Sequence, residues 1–552
     1  MPNGAQALMK TLVDSGIEVC FSNPGTSEMH FVAALDNEPK MRAVLALFEG
    51  VATGAADGYA RMAGKPAATL LHLGCGLGNG LANLHNARKG KSPMLNIVGD
   101  HATYHVKYDA QLQSDIETVA RNISPNFVRT SQRTEDLCQD AVEAIAAARG
   151  LPGQVSTLIL PADVSWGEGA QACTLPPPAP VAGATSEQIN NASAAINSGK
   201  KTAMLLGGQA LRENTLLAAA KIAAHAGVTL FAETFPSRIE RGAGLPAVER
   251  IAYLAEMASL QLSEFDHLIL VDAKAPVSFF AYPGKQSYLV PDHCTVHTLS
   301  SEEQDAETSL NALIESLGAS SAQAPLQNAK RPGRPKGKLS ADKVCRAVGE
   351  LMSENSIIVD EAITSGLMLN AMTAGAPRHD MITLTGGAIG QGLPSAIGAA
   401  IACPDRPVLA LIGDGTAMYT NQALWTMARE HLNITTIIFN NASYSVLNVE
   451  LERVGAEEVG EKAKSQLDLS GPVTNFALLA QSMGVHGSRV HTSEELLKAM
   501  EYALSKPGPH LIEAVVPESL NGIKRKILPY LLKSMPSLPA PLSKALKNKI
   551  AP

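Results

Sequence analysis

The residues best placed to do chemistry lie in PVLALIGDGTAMYTNQALWTMAREHLNITTIIFNN, residues 407–441. The segment reads as strand, Gly-Asp-Gly turn, helix, strand, with residues 416–439 between the turn and Asn440-Asn441. In a parallel βαβ unit both strands end on one edge of the sheet, so Asp414 and Asn441 are expected side by side where such sheets bind ligands. A carboxylate, an amide oxygen and a nearby backbone carbonyl suit a hard cation such as Mg²⁺, whose octahedron diphosphate oxygens and water complete. Amides of the following helix, from Thr416 onward, can point at the phosphate, and Gly413 and Gly415 let the backbone approach it closely. A lone Gly-Asp-Gly is more often an ordinary strand-end turn; the βαβ frame and the paired asparagines lift this one above that.

A second candidate stands in RAVLALFEGVATGAADGYARMAGKPA, where Glu49 follows a buried-strand pattern and opens a Gly/Ala-rich helix. By itself it reads as a capping or ion-paired glutamate. The elements that must position these residues recur along the chain. RAVLAL, AATLLHL and PMLNIVG, then TAMLLGG, VTLFAE and HLILVDA, then SIIVDEA, PVLALIGDG, TTIIFNN and HLIEAVV are strand candidates separated by amphipathic helical stretches. Such alternation predicts parallel sheets covered by helices on both faces, an α/β class. Pro-, Ala- and Gly-rich stretches at 173–187 and 318–338 read as linkers. They divide the chain into blocks of 1–172, 188–317 and 338–520, with a basic tail at 521–552. The first and third blocks are candidates for a shared architecture.

Composition bounds the rest. The 552 residues exceed what one core serves, and 45% apolar with 18% charged residues is ordinary for a globular chain. A net charge of −7 with mixed signs gives no nucleic-acid footprint. No signal sequence and no membrane-spanning run is read. Seven scattered cysteines without metal-ligand spacing fit reduced thiols in a cytoplasm.

The Gly-Asp-Gly…Asn-Asn signature resembles that of thiamine diphosphate (ThDP) enzymes, and the likeness extends over about residues 1–520, nearest to benzoylformate decarboxylase and the large subunit of acetolactate synthase. It implies three doubly wound domains: pyrimidine-binding, central and diphosphate-binding. It implies ThDP and Mg²⁺, with Asp414, Asn441 and the backbone carbonyl of Ser443 as metal ligands. Gly413, Gly415, Thr416 and Asn440 would border the diphosphate. Glu49 would hold the pyrimidine ring nitrogen so that the cofactor's imine can generate the ylide. TGGAIGQGLPSAIG, 385–398, resembles the loop that bends the cofactor, with Ile389 as wedge and the Gly387 carbonyl as acceptor. DEAITSG, 360–366, resembles a diphosphate loop through Thr364.

On the substrate side the resemblance implies Thr26 in FSNPGTSEMHF, His72 in TLLHLGCGLGNG and His101 in VGDHATYHVKYDAQLQSD, with His105, Gln111, Leu112 and Leu447 as pocket neighbours. One departure stands out. APVSFFAYPG, 275–284, holds Phe279, Phe280, Ala281 and Tyr282 where the decarboxylase carries a second histidine. That implies an apolar wall, or product chemistry with one proton relay fewer. The central domain of the family binds FAD in acetolactate synthases; here GGQAL, 207–211, is too short for a dinucleotide fingerprint, and FAD is not the favoured reading.

The expectation is therefore a homo-oligomeric enzyme, dimer or tetramer, whose sites lie between subunits and act on a small 2-oxo acid through an ylide and an enamine. It decarboxylates the acid and protonates or carboligates the product. Lyase action on a 2-hydroxy ketone or 2-hydroxyacyl substrate is the alternative. A non-catalytic ThDP-binding regulator is the rival of another class, and retention of Glu49 speaks against it. A nicotinamide dehydrogenase is disfavoured because no dinucleotide fingerprint follows an early strand.

Overall fold

The computed structural model describes residues 2–282, 284–454 and 459–518, so the tail 521–552 lies outside the described residues. Three sheets organise it. The first holds β1 (Val19–Asn23), β2 (Arg42–Leu45), β3 (Ala67–Leu71), β4 (Met94–Asp100), β5 (Val128–Thr130) and β6 (Val155–Pro161), in the order β2-β1-β3-β4-β6-β5. The middle sheet holds β7 (Thr202–Leu206), β8 (Thr229–Ala232), β10 (Glu249–Arg250), β11 (His267–Val271) and β12 (Thr295–Ser300), in the order β10-β8-β7-β11-β12. The third runs β17-β18-β16-β15-β13-β14-β9, from β13 (Ser356–Glu361), β14 (His379–Thr383), β15 (Val408–Gly413), β16 (Ile434–Asn440), β17 (His486–Val490), β18 (His510–Val515) and β9 (Ile239–Arg241).

Every pairing is parallel except one. The short strand β9 comes from the middle stretch of the chain and lies antiparallel on β14, Ile239 opposite Met381 and Arg241 opposite His379. Set β9 aside, and the third sheet repeats the strand order of the first, position for position. The shared architecture expected of the two blocks is thus present as topology.

The crossover helices after β2 and β14 occupy equivalent places in the two sheets, and they pack on each other. They are Glu49–Ala63 and Gly392–Ala402. Glycines at i, i+4 and i+8 (Gly50, Gly54, Gly58) run along the first helix. A Cβ on Gly58 would overlap the Ser395 backbone, and one on Gly398 the Ala55 carbonyl. Close crossing of this kind needs small residues at the contact. The same helices carry Val51, Ala55 and Tyr59 into one core with Leu393, Ile397 and Ile401, so a single hydrophobic core runs from the first sheet into the third.

Candidate active site

The carboxyl edge of the first sheet presents one expected residue after each of four adjacent strands. Thr26 follows β1, Glu49 follows β2, His72 follows β3 and His101 follows β4. Glu49 is the first residue of its helix, where a carboxylate complements the helix dipole, and it is 6% exposed. Asn79 Nδ2 donates to Glu49 Oε2 at 3.0 Å, and a Cβ on Gly76 would stand 3.0 Å from Oε1.

His72 caps the helix Leu73–Lys89. Its Nδ1 lies 2.8 Å from Glu28 Oε2, which also accepts the Gly25 amide at 2.7 Å. Glu28 is 1% exposed, and its second oxygen, Oε1, has no hydrogen-bond partner among the described residues. Burial holds the Glu28 carboxyl above its ordinary range, against the pull of Gly25 and His72. With Nδ1–H donating to Glu28, the imidazole keeps Nε2 for proton exchange. The reading of the sequence missed Glu28, although it stands inside the quoted loop three residues past Gly25, at the end of a short 3₁₀ turn whose first amide it caps.

Gly25 is required here, because a Cβ at that position would overlap the His72 ring. Gly25→Ala is expected to swing the imidazole off Glu28 and cut turnover by at least 10-fold, with ThDP affinity unchanged. Steady-state kinetics beside ThDP titration checks this; equal loss in both would place the glycine elsewhere in the machinery.

Thr26 is exposed and His101 half-buried. His101 Nε2 is buried without a partner among the described residues, and its ring meets that of His105 at a tilt, 5.3 Å between centroids, which in turn meets Tyr108 at 5.8 Å. Gln111 and Leu112 are exposed in the same loop.

The third sheet presents its residues in the same sequence of strand ends. Thr364 follows β13, Gly387 and Ile389 follow β14, Gly413 to Thr416 follow β15, and Asn440 to Ser443 follow β16. Asp414 is buried and fixed by three amides: Gly415 at 2.8 Å on Oδ1, Asn441 at 3.1 Å and Ala442 at 2.6 Å on Oδ2. Burial still holds its carboxyl above the ordinary range. Asn441 Oδ1 accepts the Ser443 amide at 3.0 Å. Two residues adopt left-handed backbone at these ends, Ala442 (φ 54°) and Ile363 (φ 51°). For a β-branched residue that conformation is a strained outlier, of the kind that clusters in ligand loops.

The Asn440 side chain is turned inward. Its Nδ2 donates to Glu513 at 2.7 Å and to the Thr474 carbonyl at 3.3 Å, and its Oδ1 accepts the Ala442 amide at 3.3 Å. Its amide braces the turn from inside. Thr416 Oγ1 likewise donates to the Gly413 carbonyl at 2.8 Å.

The loop with Ile389 is held from two directions. Glu361 accepts the amides of Gly390 (2.7 Å), Gln391 (3.1 Å) and Gly392 (2.8 Å), although burial pushes its carboxyl up to about 7. From the first sheet, Asn86 Nδ2 donates to the Ala388 carbonyl at 2.7 Å, and Asn83 Nδ2 to those of Gly50 at 2.8 Å and Gly390 at 3.3 Å. Rings bracket it: a Cβ on Gly387 would stand 2.7 Å from Phe279, and one on Gly390 2.7 Å from Tyr419. Phe279 belongs to an aromatic group with Phe235, Tyr253 and Phe280. Tyr253 and Tyr282 hydrogen-bond Glu450, on the helix Ser445–Arg453 that carries the exposed Leu447.

The two half-sites suit a divalent cation and a diphosphate on one side and a heteroaromatic base on the other. No group of three or more His, Cys, Asp or Glu able to hold a metal occurs among the described residues. A cation at Asp414 would draw its other ligands from amide and backbone carbonyl oxygens, water or a bound diphosphate.

Family comparisons agree with this geometry. Residues 364–514 match the thiamine pyrophosphate enzyme C-terminal TPP binding domain, and residues 2–120 the corresponding N-terminal TPP binding domain. The chain belongs to the thiamine pyrophosphate-dependent enzymes, and its cofactor is ThDP. It is 54% identical to a Mycobacterium tuberculosis protein provisionally named acetolactate synthase large subunit IlvX, over 94% of this chain and 100% of that one. It is 26% identical to benzoylformate decarboxylase of Pseudomonas aeruginosa, over 90% and 96% of the two chains. The fold matches the ThDP-dependent 4-hydroxybenzoylformate decarboxylase of Rhodococcus jostii RHA1, with a TM-score of 0.81 at 22% identity over 94% and 100% of the two chains. Among the described residues no helix is long and apolar enough to cross a membrane.

Proposed function

We propose that this chain decarboxylates a 2-oxo acid with ThDP and Mg²⁺ and joins the product to a second carbonyl compound. The observation that carries the second half is the single histidine relay. Among the described residues His72 on Glu28 is the one imidazole tied to a buried carboxylate at the first edge, and the loop at 275–282 adds rings instead of a second base. With one relay, protonation of the product carbon is poorly served and addition to a carbonyl is favoured.

When bound, ThDP supplies the ring that accepts the electron pair released with CO₂. Asp414, Asn441 and the Ser443 carbonyl hold the cation, with Gly413, Gly415 and Thr364 along the diphosphate. Ile389 and the Gly387 carbonyl set the angle of the pyrimidine, and Glu49 holds its ring nitrogen. Thr26 meets the substrate carboxylate, His72 moves protons, and His101 and Leu447 border the pocket. The chain acts in this reading as a homo-oligomer, dimer or tetramer, whose sites pair the Glu49 edge of one subunit with the Asp414 edge of another. The reduced-thiol pattern supports a cytoplasmic enzyme.

Incubation with ThDP, Mg²⁺ and pyruvate should release CO₂ and give a 2-hydroxy-2-methyl-3-oxo acid. An aldehyde alone would assign a simple decarboxylase. No CO₂ from any 2-oxo acid, with ThDP demonstrably bound, would sink the reading and move it to 2-hydroxy-ketone or 2-hydroxyacyl cleavage.

A pH dependence follows from Asp414. The cation binds the ionised carboxylate, and burial places the folded group above its ordinary range. Affinity for Mg²⁺ is therefore full above that raised value and lost as pH falls through it, earlier than an exposed aspartate would allow. Thermal stabilisation by ThDP with Mg²⁺ should weaken on acidification from neutral pH, and Asp414→Asn should remove both the stabilisation and its pH slope.

A further inference from the structure

The turn Gly207-Gly208 follows β7 where the middle sheet reverses its order, between β7 and β11. That is where a doubly wound sheet offers turn amides to the diphosphate of a dinucleotide. Here the amides already have partners from the chain itself. The Gly208 amide donates to Glu233 Oε1 at 3.0 Å, and the Gln209 amide to Asp272 Oδ2 at 2.7 Å. Glu233 stands at the end of β8 and Asp272 at the end of β11. The Asp272 carboxylate fills the space a Cβ on Gly208 would take, and Gly208 itself is left-handed at φ 43°. A third carboxylate, Glu302, follows β12.

Into this acidic cradle reaches a cation from the first block. Lys91 Nζ lies 3.1 Å from Asp272 and 3.4 Å from Glu302; Lys274, largely exposed, meets Glu302 at 3.1 Å. A diphosphate entering here would have to displace two carboxylates from their amides and then lie beside three acids, the buried Asp272 and the half-buried Glu233 and Glu302. Burial already pushes Glu233 up to about 7, so more negative charge is poorly tolerated. The residues do not fit a flavin or adenine dinucleotide.

We propose that the middle domain binds no dinucleotide, and that its cradle is an internal lock with Lys91 as its bolt. Lys91 sits two residues past the helix Leu73–Lys89, in a left-handed turn at φ 53°. That helix begins at His72 and carries Asn79, the partner of Glu49. The lock therefore ties the position of the first half-site to the middle sheet. The inference stands apart from the reaction proposed above, since it concerns a different sheet and a different ligand.

The test uses the full-length holoenzyme loaded with ThDP and Mg²⁺. Absorbance near 450 nm after purification reads retained flavin, and equilibrium dialysis against FAD and against ADP reads binding up to roughly 1 mM. No flavin and no saturable binding are expected. Lys91→Ala is expected to lower the melting midpoint by roughly 2–4 °C, and Lys91→Arg to restore most of it. Stoichiometric flavin, saturable binding of FAD or ADP, or an unchanged midpoint in Lys91→Ala would each overturn the proposal.

Discussion

Glu49→Gln should lower kcat by about 10²–10⁴-fold while leaving ThDP affinity within a few-fold of the parent, the range expected when a positioned proton-transfer group is lost. The geometry makes the substitution clean. Asn79 Nδ2 can still donate to the amide oxygen at this position, and the side chain volume is kept. The helix also retains its other start contacts, because Phe48 and not Glu49 is its N-cap. Kinetics at saturating ThDP, with a ThDP-binding titration on the same sample, separates the outcomes. If Glu49 only capped a helix, the variant would lose melting temperature and keep its kcat. Full activity would remove Glu49 from the proton relay, and a parent chain that binds ThDP yet turns over no substrate would revive the reading of a regulator.

The second large effect is expected at a buried ion pair that touches no residue assigned to the cation or the substrate. Asp57 and Arg61, from the DGYAR run, form a bidentate pair at 2.8 Å with both side chains essentially out of water. Arg61 continues to the Thr383 carbonyl and Thr385 Oγ1, both at 2.8 Å, and Gln391 Nε2 donates to Asp57 at 2.9 Å. The pair thus stitches the first crossover helix to both ends of the loop with Ile389. Asp57→Ala leaves a buried guanidinium without its counter-charge, which costs about 3–5 kcal/mol. Loss of thermal midpoint and a weaker ThDP interaction should appear together. Asp57→Asn combined with Arg61→Met removes both charges, and it should recover more than half of the lost midpoint, since an absent pair costs less than a broken one. Failure of the double variant to improve on the single one would mean the pair's hydrogen bonds, and not its charge balance, hold the loop.

Much of this was legible in the residues. Continuous apolar runs such as VLALIG and TTIIFN are short, β-branched and separated by helical stretches, which favours buried parallel strands over buried helix, and each became the strand expected. Asp414 and Asn441 followed because two parallel strands must end on one edge. What stayed hidden depends on contacts distant in sequence. Glu28 reads as a surface glutamate until the fold brings β3 beside β1 and sets His72 over Gly25. Adjacency in the sequence does not tell that strand alternation turns the Asn440 side chain to the opposite side from Asn441, toward Glu513. The shared strand order of the first and third sheets could be suspected from block lengths and no more, because order is set by which strand pairs with which. A three-residue strand such as β9, two of its residues charged, carries no periodic signal at all.

That small strand has a bearing on how the molecule can be taken apart. By pairing with β14, β9 covers one of the two edges that the third sheet's own stretch of chain leaves open. A fragment starting at residue 338 would carry the whole diphosphate half and still expose a row of unpaired strand amides and carbonyls along β14, a template for sticking to other chains. The middle block is thus more than a spacer: it supplies the selvedge that keeps the third sheet from fraying into aggregates.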